Sequence, residues 1–253
     1  MRMLVTRPAQ QADEWAKDLR AQGLDAVALP LIAISPAVDA MPLRAAWQTL
    51  ARHRLAVFVS PNAVEHFFAA RPAGTTWPGG TCAASPGPGT TRALLALGVP
   101  AAQLIEPAAD ATQFDSEALW QQLRSQPWRD AEVLLVRGDG GRDWLADTLR
   151  AQGARVTPLS AYRRGTPALD AAQRATLQAA LAAPAAHLWF FSSSEAIVHL
   201  QTIAPPDTQW AQARAICTHP RIAATARQCG FIEPFETRPS LAAVVACIQS
   251  IAT

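Results

Sequence analysis

The pentapeptide Leu-Arg-Ala-Gln-Gly occurs twice, at Leu19–Gly23 and at Leu149–Gly153. The match extends well beyond it. Residues 3–29 align without a gap on residues 133–159, which sets Arg7 on Arg137, Ala16 on Ala146 and Leu29 on Leu159. Each copy reads as a strand, a polar turn, an amphipathic helix, a Gly stop and a second strand. A gapless repeat of this length constrains the fold more than composition can, because each copy has to bury the same helix face against the same kind of sheet. A second pair lies between and after the first. VFVSPNAVEHF (57–67) resembles FFSSSEAIVHL (190–200), with Ser60 on Ser193, and ASPGPGTTRALLALG (84–98) more loosely resembles CTHPRIAATARQCG (217–230). The order along the chain is therefore A, B, A′, B′, and it predicts an α/β protein of two similar lobes.

Ten strand candidates (3–6, 25–34, 55–59, 81–85, 102–105, 132–136, 154–161, 187–191, 214–217 and 231–235) alternate with ten helix candidates. Four of the helices stop at glycine, at Gly23, Gly98, Gly153 and Gly230. Alternation of this kind predicts a parallel sheet flanked by helices in each lobe. Pro-rich stretches at 35–42 and 163–167 each follow the second strand of an A unit, and they are the expected places for the chain to cross between lobes.

Composition excludes several function classes. Half of the 253 residues are apolar, 17% are charged and the net charge is +2, which argues against a nucleic-acid footprint. Lys17 is the only lysine, so Schiff-base chemistry is not expected. Cys82, Cys217, Cys229 and Cys247 form no C-x-x-C pair, and the five histidines show no ligand spacing, so reduced thiols and no metal are expected. The chain opens on a strand candidate and its apolar runs are short. The expectation is a cytoplasmic protein with no leader and no membrane contact.

In open α/β sheets, ligands bind outside the carboxyl ends of the strands. The turns that follow those ends hold Thr6–Arg7, Ser60–Asn62, Gly87–Thr91, Arg137–Arg142, Ser192–Ser194 and Thr218–Arg221. Nearly every strand hands over to hydroxyl residues, glycine or arginine at a helix N-terminus, where free N–H groups and the positive dipole end favour anions. Ser60, Asn62 and Ser194 taken singly are better read as helix caps than as ligand contacts. RGDGGR (137–142) lacks both the G-x-x-x-x-G-K-[ST] and the G-x-G-x-x-G patterns, which argues against a nucleotide. The recurrence of the same chemistry in both lobes favours a ligand with many anionic groups. Tyr162, the only tyrosine, ends a strand just before Arg163–Arg164.

In sum, LVTRP, FVSPNAV, the GPGTT turn, LLVRG with its following helix, the strand ending in Tyr162, FFSSSEAI and THPRIA resemble the uroporphyrinogen-III synthase family over essentially the whole chain. The resemblance implies a flavodoxin-like pair of lobes joined by two crossing segments, with 1–36 plus 165–253 as one lobe and 37–164 as the other. It implies a lyase that cyclises hydroxymethylbilane, a linear tetrapyrrole with eight carboxylates, losing water and inverting the last pyrrole ring, without a cofactor. It implies a cleft between lobes where Arg7, Ser60, Asn62, Gly87, Thr90, Arg137, Gly138, Arg142, Ser193, Ser194, Thr218 and Arg221 bind substrate. Tyr162 would protonate the departing hydroxyl, since a phenol is ordinarily a donor at neutral pH. The chain departs from the family's Gly-Pro-Thr-like turn in the last quarter, where it has Thr218-His219-Pro220-Arg221. A monomer is expected, in transient contact with hydroxymethylbilane synthase. A non-catalytic bilobal module for a small polyanion is the competing reading.

Overall fold

The chain is described by a computed structural model, which covers residues 1–252. In chain order the strands are β1 (Arg2–Val5), β2 (Ala26–Ala28), β3 (Ala33–Pro36), β4 (Leu55–Phe58), β5 (Cys82–Ala84), β6 (Leu104–Ile105), β7 (Glu132–Gly138), β8 (Arg155–Gly165), β9 (His187–Phe191), β10 (Arg214–Cys217) and β11 (Phe235–Glu236). The helices are α1 (Ala9–Ala21), α2 (Met41–Thr49), α3 (Pro61–Ala69), α4 (Pro88–Ala96), α5 (Ser116–Leu123), α6 (Trp144–Ala151), α7 (Ala171–Ala182), α8 (Ser194–Ile203), α9 (Pro220–Cys229) and α10 (Leu241–Ala252). Two compact units result. One joins Met1–Ala33 to the chain from Gly165 on, and the other is Ile34–Arg164.

The first unit holds a sheet in the order β11-β10-β9-β1-β2, all parallel. The second holds the order β3-β8-β7-β4-β5-β6, in which β8 through β6 run parallel. Counting each unit from the first strand of its repeated βαβ element, both orders read 2-1-3-4-5, the flavodoxin-like arrangement. The internal repeat is thus a repeat of sheet position: β1-α1-β2 corresponds to β7-α6-β8, and β9 corresponds to β4.

Side-chain alternation explains why both faces are covered. In β4 and β7, Ala56, Phe58, Leu134 and Val136 pack on one face with Trp47, Phe67 and Phe68. Leu55, Val57, Val133 and Leu135 pack on the other with Leu119, Leu145 and Leu149. In the first unit Met3, Val5, Leu188 and Phe190 meet Ala12, Ala16 and Leu19 of α1 and Val244 of α10. On the opposite face Trp189 and Phe191 stack on each other and meet Trp210 and Phe231. Strands buried on both faces are what the near-continuous apolar runs require.

The structure corrects the expected boundaries in three places. Residues 25–34 do not form one strand; they split into β2 and β3, which lie in different sheets. Pro30 interrupts the run, since it has no N–H to donate to a ladder. The strand expected at 231–235 is reduced to Phe235–Glu236, whereas β8 continues to Gly165. Gly23 and Gly153 close the two copies of the repeated helix with φ of 78° and 91°, conformations that favour glycine.

Candidate functional site

In a 2-1-3-4-5 sheet the connections from strands 1 and 3 leave toward opposite faces, which opens a crevice at their carboxyl ends. In the second unit that point lies between β7 and β4, and in the first between β1 and β9. The sequence-predicted residues gather at these two edges.

In the second unit the edge is organised by Tyr162. A register shift in the β7–β8 ladder at Arg137/Gly138 sets Gly138 opposite Tyr162. From β8 the phenol reaches Ser60 at the end of β4, with Oη and Oγ 3.0 Å apart. Because β7 lies between β8 and β4, the ring crosses over Gly138. A Cβ at Gly138 would stand 2.9 Å from Tyr162 Cζ, so glycine is what lets the ring lie there. His66 on α3 stacks on the same ring, with centroids 5.9 Å apart and planes 17° from parallel. Burial pushes the His66 imidazole below its ordinary value, which keeps it neutral at pH 7. Tyr162 is only 3% exposed. Ser60 also caps α3, its Oγ accepting from the Ala63 N–H at 3.2 Å, and Asn62 in the first turn of that helix is buried.

The next turn on this edge is Gly87–Thr91. Gly87 caps α4, and a Cβ there would lie 3.2 Å from Phe114 Cβ. Thr90 is buried in the first turn, while the Thr91 hydroxyl donates to Glu106 at 2.7 Å. Of the RGDGGR arginines, Arg137 is paired with Asp143 at 2.7 Å. Arg142 makes a two-bond contact with Glu117, at 2.6 and 3.0 Å. The hydrogen bond to Glu117 raises the Arg142 pKa above its ordinary value. Both cations thus have a carboxylate partner within the unit.

In the first unit Thr6 donates to the Phe190 carbonyl at 2.7 Å and is buried, which anchors the turn after β1 beside the end of β9. Arg7 lies over the Trp15 ring, 4.6 Å from its centroid. Ser193 caps α8 by accepting from the Glu195 N–H, and Ser194 Oγ lies 3.0 Å from Thr225 Oγ1. Thr218 is buried at the end of β10, and its N–H donates to the Phe191 carbonyl. His219 caps α9, with Nδ1 accepting from the Arg221 N–H at 3.0 Å. The Thr-His-Pro-Arg turn therefore caps its helix with an imidazole, where the corresponding turn of the second unit has Gly87.

The partners Asp143, Glu117, Glu106, His66 and Trp15 were not singled out from sequence. Asp143 carried a signal all the same: like Asp13 in the other copy, it lies six residues after the aligned arginine of its repeat. Among the described residues no three His, Cys, Asp or Glu side chains are grouped to hold a metal ion. No helix there is long and apolar enough to cross a membrane.

Fold and edge chemistry define a class: a protein of two parallel α/β units whose strand ends present N-termini, hydroxyls and arginine. A family model described as uroporphyrinogen-III synthase HemD matches residues 13–246. The uroporphyrinogen-III synthase of Salmonella typhimurium is 31% identical over 179 residues, 69% of this chain and 70% of that protein. That of Synechococcus elongatus is 32% identical over 170 residues, 65% of this chain and 61% of that protein. The chain belongs to the uroporphyrinogen-III synthase family. A mutant uroporphyrinogen III synthase from Thermus thermophilus has the same fold, with a TM-score of 0.60 at 19% identity over 100% of this chain and 97% of that one.

Proposed function

We propose that this chain cyclises hydroxymethylbilane to uroporphyrinogen III, with loss of water and inversion of the last pyrrole ring. Membership of the family across residues 13–246 carries the reading. The chemistry at the strand ends supports it. An octacarboxylate calls for many anion-friendly donors, and helix N-termini at the strand ends are capped by Ser60 in one unit and by Ser193 and His219 in the other. The reading places Ser60, Asn62, Gly87, Thr90, Gly138, Ser193, Ser194, Thr218 and Arg221 among the groups that hold substrate carboxylates, together with the arginines Arg7, Arg137 and Arg142. The reaction takes place in the cytoplasm, on a monomer that receives its substrate in transient contact with hydroxymethylbilane synthase.

The reacting carbon is the substrate's own hydroxymethyl group. Ionisation needs a proton on the departing oxygen and a fixed geometry for the azafulvene that remains. Tyr162 supplies the proton, and Ser60, 3.0 Å from the phenol, steadies the phenolate by donating to it. The proton released when the macrocycle closes restores the phenol.

The test couples the protein to a source of hydroxymethylbilane, oxidises the products and separates the isomers. The type III isomer is expected. Type I alone, from folded protein, would replace this reading with that of a non-catalytic polyanion-binding module.

A further inference from the structure

The repeat gives each unit an arginine after its first strand, and the two copies treat it in opposite ways. In both copies an aspartate follows six residues later: Arg137 with Asp143, and Arg7 with Asp13. In the second copy Gly138, Gly140 and Gly141 keep the chain out of helix until Trp144. The loop folds Asp143 back onto Arg137 at 2.7 Å.

In the first copy the residue after the arginine is Pro8, which caps α1 and starts the helix at Ala9. Asp13 is thereby carried onto the exposed face of α1. Among the described residues Arg7 is left with no carboxylate. Its guanidinium lies against Trp15, at 4.6 Å, and within 5.8 Å of Phe190, and those two rings touch each other with centroids 5.1 Å apart; Phe190 is fully buried. Nε is enclosed and has no hydrogen-bond partner. The one polar contact is Nη1 to Gln11 Oε1 at 3.4 Å, near the limit for a hydrogen bond. No side chain caps α1, and no acidic residue sits in its first turn, so the positive end of that helix adds to the same field. Burial lowers the Arg7 pKa to about 10, which leaves it charged at neutral pH.

A buried, uncompensated cation destabilises a fold. The second copy shows that this chain had an internal remedy available and did not use it at Arg7. We propose that Arg7 is a preformed receptor for one substrate carboxylate, held unneutralised in the free protein so that the ligand supplies the missing anion. The inference rests on the reading of a polycarboxylate substrate. It assigns to Arg7, rather than to the paired Arg137 and Arg142, the principal charge of the site. Trp15 holds the guanidinium plane, and the two Nη groups offer the paired donors that a carboxylate accepts.

The experiment measures binding of benzenehexacarboxylate by calorimetry and thermal shift at fixed ionic strength. Wild type is compared with Arg7→Met, Arg7→Lys and Arg2→Met. Arg2 lies at the other end of β1 and pairs with Asp25, so it controls for loss of one positive charge. Saturable binding is expected for wild type and Arg2→Met, with affinity at least about tenfold weaker in Arg7→Met and intermediate in Arg7→Lys. Without ligand, Arg7→Met should melt no lower than wild type, because Met can cover the Trp15 ring without a charge. The proposal is overturned by Arg7→Met binding within about twofold of wild type, by an equal loss in Arg2→Met, by no saturable binding in wild type, or by an unliganded Tm lowered more than about 4 °C, roughly 1–2 kcal/mol in a chain this long. Isomer analysis of wild type is a separate measurement. Type III product with an unaffected Arg7→Met would sink the receptor and leave the synthase. Type I product with Arg7-dependent binding would do the reverse.

Discussion

Replacing Gly138 with alanine should damage the site through Tyr162 and not through the backbone. The new methyl would stand 2.9 Å from Cζ, 3.0 Å from Cε2 and 3.2 Å from the hydroxyl oxygen. Carbon atoms settle at about 3.5 Å or more, so the ring has to lift by about 0.6 Å. It has little room to do so, being 3% exposed and packed in the cluster that holds Phe58, Phe67 and Leu159. Overpacking of this kind costs about 1–3 kcal/mol, which lowers Tm by roughly 2–12 °C at this chain length. The hydroxyl moves with the ring. Since misplacing a reacting group by about 1 Å can cost a hundredfold in rate, a shift of about 0.6 Å should lower turnover about tenfold. Initial rates of type III product and calorimetric melts measure both effects. A double-mutant cycle locates the strain: with Tyr162→Ala in place there is no ring to strike, and Gly138→Ala should then cost under about 0.5 kcal/mol. An undiminished cost in that background, or a silent Gly138→Ala in the wild type, would refute the view that the ring is confined over this glycine.

Three further outcomes follow from the geometry. Tyr162→Phe should lower turnover about ten- to a hundredfold with a stability loss of only about 0.5–1.5 kcal/mol from the Ser60 bond; unchanged turnover would remove Tyr162 from the mechanism. Glu117→Gln should release Arg142 and lower KM, while Tm barely moves because a partly exposed pair contributes at most about 1 kcal/mol. Burial raises the Cys217 thiol to about 12 and Cys229 to about 11, so both should resist alkylation at pH 8 until the protein unfolds. The same shifts set a sign for stability: these groups favour folding fully below the ordinary thiol value of 9.0 and progressively less as pH rises toward 12, so denaturation midpoints should fall across that window.

The strand-helix alternation and the edge hydroxyls were legible because they depend on local pattern: apolar runs, caps and glycine stops. Pro30 shows where local pattern misleads. Residues 25–34 are apolar enough for one long strand, yet the missing N–H divides them between two sheets. Pairing across the chain was beyond reach in a different way. Nothing near Arg142 in sequence points to Glu117, because that pair exists only once α5 packs beside α6, and nothing near Tyr162 points to Ser60, because that contact exists only once β8, β7 and β4 lie side by side.

The repeat carries a further lesson. Two copies that align without a gap can keep the same sheet position and still diverge in electrostatics through the few residues that follow the first strand. Pro8 and Gly138 occupy equivalent positions. Proline fixes φ and starts α1 at once, which sends Asp13 to the surface; glycine delays α6 by a loop, which returns Asp143 to its arginine. Gly138 has a second consequence, since its missing side chain is also the space that Tyr162 fills. The residues that follow the arginine therefore separate an edge with a desolvated, unneutralised charge from an edge with a phenol to hold. On the proposed reading, a substrate with carboxylates to bind and a hydroxyl to lose would use both.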